Sequence, residues 1–305
     1  MLSDRILETL RFFDLQDYPL TLLEIYTYLL PEKESLAGLL DAQHEFRGAA
    51  PVARAALVPA LAIAECLSGE LAGRVECHRG FYCLKGRGGL IRQRLLNYLH
   101  GMFREKRVAR FARGLKWLPF VRGVGLAGSQ VLGQQKDTSD IDLFIITDVN
   151  RMWLARTLVT AYFQILGLRR HGAKVKNRFC LNHYVAGGKE LTKLRNLYTA
   201  LEYAKLRRLA GARAVAAFQK KNQPWISAFY PNWQAPTAQA PAASPVQVFL
   251  EKLFQGKFGA WLEARLKAWQ LPKIRTEKYI LVADDELSFH PDSKQEFLLK
   301  RFFEN

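Results

Sequence analysis

The chain has 305 residues, with 45 Lys and Arg against 28 Asp and Glu for a formal net charge of +17, and 49% of its side chains are hydrophobic. That length suggests two or three compact units, and the composition excludes global disorder. No stretch reaches the roughly 20 apolar residues of a membrane helix, and the opening MLSDRILETLRFF has no basic region leading to a small-residue cleavage site. The expectation is a cytoplasmic protein with no membrane span.

In chain order, Leu2, Ile6, Leu7, Leu10 and Phe13 predict a first helix, closed by the turn-forming residues Asp14 to Pro19. Thr21 with Glu24 three residues later is a capping-box pairing, and Leu22, Ile25, Tyr26 and Leu29 form one stripe before Pro31 stops the second helix. Residues 53–68 allow a third helix that Pro59 bends or shortens. Two strand-like runs, Arg74 to Cys77 and Phe81 to Leu84, flank His78-Arg79-Gly80 and predict a hairpin. This order is that of a winged helix. The third helix carries a single Arg, Arg54, so it reads as packed or protein-facing, because a groove reader needs polar and basic side chains at base edges.

Residues 85–122 carry eleven Lys and Arg against Glu105 alone, a net of +10, with Leu95, Leu99, Met102, Phe103, Val108 and Phe111 interleaved at helical spacing. A basic helix over 91–116 is either a solvated face or a surface that steers a polyanion such as nucleic acid. From residue 123 the period changes: strands are expected at 124–127, 141–147 and 178–185, and helices at 151–166 and 191–209. The uncharged, Pro- and Ala-rich stretch 231–245 predicts an extended linker. A helix near 246–270 and a strand–turn–helix, with a Phe289-His290-Pro291 turn, finish the chain. The resulting division is 1–88, a winged-helix-like domain; 89–212, an α/β (α+β) core with a mixed sheet and a leading basic helix; 213–245, a linker; and 246–305, a small C-terminal helical region. Cys66, Cys77, Cys83 and Cys180 form no CxxC pair, and reduced, buried thiols are expected.

The most informative segment is 123–148, which supports two readings. Gly123, Gly125 and Gly128 spell GxGxxG with Asp148 following 20 residues after the last, the spacing of a dinucleotide fingerprint. Against it, Arg122 interrupts the strand that should precede the first glycine, and a polar run replaces the helix that should follow. The second reading takes Gly128-Ser129 as the end of one strand and, after ten residues, Asp140-Ile141-Asp142 as the start of the next. Strand alternation turns both carboxylates to one face, where they would repel without a cation; hard oxygen ligands suit Mg²⁺ or Mn²⁺ bridging to a nucleoside triphosphate. The Gly-Ser turn offers backbone N–H groups and a hydroxyl to a phosphate. A turn-capping role for the Asp residues, as in Asp137-Thr-Ser-Asp140, is the structural alternative.

These residues resemble the nucleotidyltransferases of the DNA polymerase beta superfamily, whose hallmark is a strand ending in Gly-Ser or Gly-Gly, about ten residues, then Asp-x-Asp in a strand. Here the matching residues are Gly128, Ser129, Asp140 and Asp142, followed by LFIIT. The whole chain is also similar to a group of bacterial proteins with a leading DxxDYPLT segment (Asp14 to Thr21), a GFYxLKG hairpin (Gly80 to Gly86), the transferase core and a Phe-His-Pro turn. The resemblance implies transfer of a nucleoside monophosphate from an NTP to an acceptor with release of pyrophosphate. Asp140 and Asp142 would be catalytic and metal-holding, and Gly128 and Ser129 would bind the triphosphate. Many members add a third carboxylate on a later strand, whereas 178–185 has no acid. Asn182, His183 or, on the following helix, Glu202 is the substitute in that neighbourhood. The missing acid also motivates a non-catalytic module that binds nucleic acid or a protein partner.

Overall fold

The computed structural model describes residues 1–40, 57–131, 139–172, 174–187, 195–239, 244–274, 281–289 and 293–304. The expectations that fall on 53–56, Asp137, 191–194 and His290-Pro291 lie outside the described residues. The protein is α+β with a mixed sheet.

The front begins with α1 (Leu2–Asp14), β1 (Leu20–Thr21), α2 (Leu22–Thr27) and α3 (Lys33–Leu39). Both halves of the capping box form at α2: the Thr21 hydroxyl accepts from the Glu24 N–H at 3.2 Å, and the Thr21 N–H donates to Glu24 Oε2 at 2.9 Å. The helix expected from residue 53 is α4 (Ala60–Ser68), with Pro59 at its N-cap, where a missing N–H costs no helical hydrogen bond. The hairpin is β2 (Val75–His78) and β3 (Phe81–Leu84), and β1 adds to β3 in an antiparallel three-stranded sheet. Arg87, just after the hairpin, holds Asp14 and Asp17 at 2.8 Å each, which ties the two sequence motifs of the front together.

The basic segment is one long helix, α5 (Gly89–Gly114), in which Arg92, Lys106, Arg107, Arg110 and Arg113 are exposed. The core follows: β4 (Val121–Leu126), β5 (Ile141–Thr147), α6 (Met152–Ile165), β6 (Phe179–Ala186), α7 (Leu197–Ala204), β7 (Arg207–Ala210) and α8 (Ala212–Phe229). The helix expected over 191–209 is therefore shorter, and its last residues are a strand. Leu206 packs into the space left by Gly125, where a Cβ would stand 2.8 Å from its Cδ1, and this close approach lets β7 pair with β4.

The tail forms two helices where one was expected, α9 (Pro245–Leu253) and α10 (Gly256–Ile274), broken at Gly256 with φ +76°. It ends with β8 (Leu281–Val282), β9 (Glu286–Ser288) and α11 (Ser293–Glu304). The six-stranded sheet has the order β7-β4-β5-β6-β9-β8; among its described strands β5 and β6 pair in parallel and the other neighbours antiparallel.

Alternation along β5 divides the apolar interior. Ile141, Leu143 and Ile145 face one cluster with α6, α10 and the end of α5. Phe144 and Ile146 face the other, which also contains Ile6, Phe13 and Ile25 of the front helices and Leu298 and Phe302 of α11. Asp142 shares the parity of Phe144 and Ile146, so it comes to the face covered by α7. Among the described residues, no helix is long and apolar enough to cross a membrane.

Candidate metal and phosphate site

The site is a corner between the end of β4 and the start of β5. Gly128 follows β4 with φ +66°, a conformation that L side chains rarely adopt. A Cβ built there would lie 2.3 Å from Asp142 Oδ2, so both the backbone and the neighbouring carboxylate exclude any side chain. Asp142 is buried in β5 and Asp140, just before the strand, is half-buried. The turn and the strand start are fastened together: the Ala127 N–H donates to the Asp142 carbonyl at 3.0 Å, and the Gln130 amide donates to the Asp140 carbonyl at 2.9 Å. Arg104 of the basic helix also donates to the Ser139 and Asp140 carbonyls, so one of the expected polyanion-steering cations instead holds the strand start in place.

The parallel register of β5 and β6 sets Cys180 opposite Asp142. One ligand atom from each of Asp140, Asp142 and Cys180 lies within 4.8 Å of the others. Burial, and then the charges of Asp142 and Asp140, push the Cys180 thiol up to about 12, with Arg170 opposing. At neutral pH the sulfur is therefore protonated. Arg170 reaches the corner from outside the sheet, with Nη1 2.5 Å from Asp140 Oδ2 and 3.5 Å from Cys180 Sγ. Two carboxylates on one face fit a hard divalent cation such as Mg²⁺ or Mn²⁺, whereas a protonated thiol is no ligand for either.

The three candidates for a third acid have different fates. The side chain of Asn182 lies outside the described residues, as does that of Ser129. A register shift between Asp142 and Phe144 moves His183 opposite Phe144, and its ring meets that phenyl edge-on at 4.7 Å. Its Nε2 lies 3.0 Å from Glu286 Oε1 of β9, with both side chains buried. Glu202 of α7 is buried and accepts the Gly128 N–H at 3.0 Å, so this donor of the turn is committed to a carboxylate rather than left open to a phosphate.

Cys180 and Arg170 have no counterpart in the motif reading. Cys180 was open to detection, since it is the second residue of β6 as Asp142 is the second of β5, and parallel neighbours that start together align those positions. The expectation of buried thiols holds for Cys83 alone; Cys66 and Cys180 are intermediate and Cys77 is exposed, and all four are free.

The dinucleotide reading fails. Gly123 and Gly125 lie inside β4 rather than in a turn, β4 and β5 are antiparallel where a Rossmann unit needs a parallel pair, and Asp148 is paired with Arg122. Compared with protein-family models, curated proteins and solved structures, the chain matches none.

Proposed function

We propose that the protein is a cytoplasmic, metal-dependent nucleotidyltransferase that moves a nucleoside monophosphate from an NTP to a hydroxyl acceptor and releases pyrophosphate. The observation that carries this reading is the meeting of the Gly128 turn with Asp142, a distance of 2.3 Å from where a Cβ would stand, with Asp140 beside it on the strand start. A turn-capping role for the Asp pair explains neither the buried Asp142 carboxylate nor the glycine that makes room for it.

In this reading Asp140 and Asp142 hold Mg²⁺ or Mn²⁺, which neutralises charge on the triphosphate and the departing pyrophosphate. Gly128 and Ser129 lie against the triphosphate, and Glu202 fixes the turn through the Gly128 N–H. Arg170 is half exposed beside Asp140 and adds a cation for the phosphates. The front is a winged-helix-like unit with a scaffolding role, since α4 has no Lys or Arg. The exposed cations of α5 hold a polyanionic acceptor or steer the nucleotide.

A catalytically weak module of the same fold, binding nucleic acid or a protein partner, is the second reading. It is favoured by Cys180 at the strand position facing Asp142, where a third acid would stand, and by Arg170 bound to Asp140. Label transfer from α-³²P NTPs with Mg²⁺ or Mn²⁺ to fractionated small molecules, RNA and protein separates the two. Label that requires intact Asp140 and Asp142 supports transfer. Metal-dependent NTP binding without any labelled product supports the weak module, and NTP binding indifferent to Asp140→Ala/Asp142→Ala overturns the site itself.

A further inference from the structure

A second chemically distinctive place lies where the front meets the core, beside the Gly128–Gln130 turn. A cavity of about 450 Å³ there is lined by Tyr18 and Tyr28 from the front, Arg94 from α5, and Lys205, Arg207 and Arg208 from the end of α7 and β7. Gln130 also lines it, and the same Gln130 amide holds the Asp140 carbonyl.

Lys205 is the unusual residue. Its Nζ is buried and has no hydrogen-bond partner among the described residues. It stands 4.0 Å from the centre of the Tyr18 ring, 5.3 Å from that of Tyr28 and 5.5 Å from that of Phe13. Ring faces attract an ammonium but satisfy none of its three N–H donors. The nearby acid is already engaged: Glu24 binds Arg94 at 2.8 Å, accepts the Tyr18 hydroxyl at 2.8 Å and takes part in the capping box. Glu24 acts on Lys205 through its charge.

The balance of charge is one-sided. Arg207 is paired with Glu105 at 2.5 Å, and Arg208 donates to the Thr237 carbonyl at 3.0 Å without an acid. Four cations thus line a space in which, among the described residues, two carboxylates, Glu24 and Glu105, offset them. A buried ammonium with unmade hydrogen bonds costs stability unless something else uses it, and a phosphate supplies both charge and acceptor oxygens. The volume lies in the range of small-molecule sites, and the tyrosine rings suit the organic part of such a ligand.

We propose that this cavity binds the phosphate group of a small organic molecule, with Lys205 and Arg208 as its principal cations and Arg94 and Arg207 at its walls. The binding does not rest on the transferase reading, because none of these residues belongs to the carboxylate corner.

Equilibrium dialysis of the full chain against ³²P-orthophosphate, with EDTA present to exclude metal-mediated binding, tests it. The expected result is one phosphate per chain, weakened at least tenfold in Lys205→Met and about threefold or more in Arg208→Gln, and unchanged in Asp140→Ala/Asp142→Ala. Arg208→Gln changes an exposed side chain, so it reports on the cavity even if Lys205→Met fails to fold. Absence of phosphate binding, or equal binding by wild type and both cavity variants, overturns the proposal. Binding that disappears with the Asp pair instead assigns the phosphate to the corner and overturns it equally. Transfer activity that fails while cavity binding persists would count against the transferase reading alone.

Discussion

The carboxylate corner and the Lys205 cavity hold opposite charges and meet at Gln130, and they are assembled by different means. The corner comes from three adjacent strands: Asp142 lies on β5 with Asp140 just before it, Cys180 on the parallel neighbour β6, and Gly128 just past the end of β4 on the other side. The cavity draws on parts of the chain far apart in sequence, with Tyr18 and Glu24 from the front, Arg94 from α5 and Lys205 from the end of α7. A strand pair brings charges together by its repeat alone, whereas a seam between layers does so only once both layers have packed. Charge at the seam therefore answers to folding as a whole, and charge at the corner to local register.

The largest effect should come from removing the seam's central acid. Glu24→Gln leaves Arg94 and Lys205 facing each other without a counter-charge. In the wild type, burial pushes the Glu24 carboxyl up, but Lys205, Arg94 and the Thr21 and Tyr18 hydrogen bonds outweigh it and hold the carboxyl below its ordinary value. Breaking a buried ion pair from one side costs about 4 kcal/mol, to be read as a lower urea midpoint. Next comes the corner. Gly128→Ala puts an L side chain at φ +66° and its Cβ against Asp142, so a loss of about 3 kcal/mol is expected in the same measurement. Equal stability in that variant would mean that the turn and Asp142 are not packed as described.

Lys205→Met should do the opposite and stabilise the chain by about 2 kcal/mol at neutral pH, because a buried charge is replaced by an apolar chain of similar length. A pH series identifies the cause. Burial pulls the Lys205 ammonium from its ordinary 10.5 down to about 8, with Glu24 opposing and Arg94 adding to the fall. Between these two values the unfolded chain binds the proton and the folded chain does not, so wild-type stability rises with pH from about 8. The gain ends near 9, where burial holds the Cys83 and Cys180 thiols protonated in the fold, at about 11 and about 12, while the unfolded chain releases their protons; the Tyr18, Tyr28, Tyr203 and Tyr230 phenols add to the fall from about 10. Lys205→Met should lose the rise between pH 8 and 9 and keep the fall above it. A wild-type curve flat between 8 and 9 would show that Lys205 is not buried as a charge.

What could be read in advance follows the same division. Period-two alternation placed Asp140 and Asp142 on one face, and the Thr21–Glu24 spacing marked the start of α2, since both depend on a few neighbouring residues. The pattern over 205–209 predicts helix, yet Arg207–Ala210 is a strand because β7 forms only against β4, with Leu206 filling the space that Gly125 leaves. The residue pattern puts His183 near the corner, because the register shift in β6 that carries it along to Phe144 and Glu286 has no mark in that pattern. The role of Lys205 was invisible for the same reason: no local pattern announces that three aromatic rings from the front will surround it.

The smallest expected change in stability carries the most information about chemistry. Cys180 sits opposite Asp142 with its sulfur protonated, so the corner has two charges where the resembling family often has three. Cys180→Asp adds a carboxylate of similar size at that register position. Without a divalent ion it should cost about 1 kcal/mol through repulsion by Asp140 and Asp142, partly relieved by Arg170, which already lies 3.5 Å from the sulfur. With Mg²⁺ or Mn²⁺ the sign should reverse, because a third hard oxygen ligand joins the set. The checking measurement is the melting temperature with and without metal, beside label transfer from NTP. A metal-dependent rise larger than that of wild type, accompanied by more product, would show that the thiol limits the corner. A rise without product would place the limit elsewhere, at Arg170 or at the acceptor. No response to metal in either protein would remove the cation from the corner and leave Asp140 and Asp142 as partners of Arg170 and the turn.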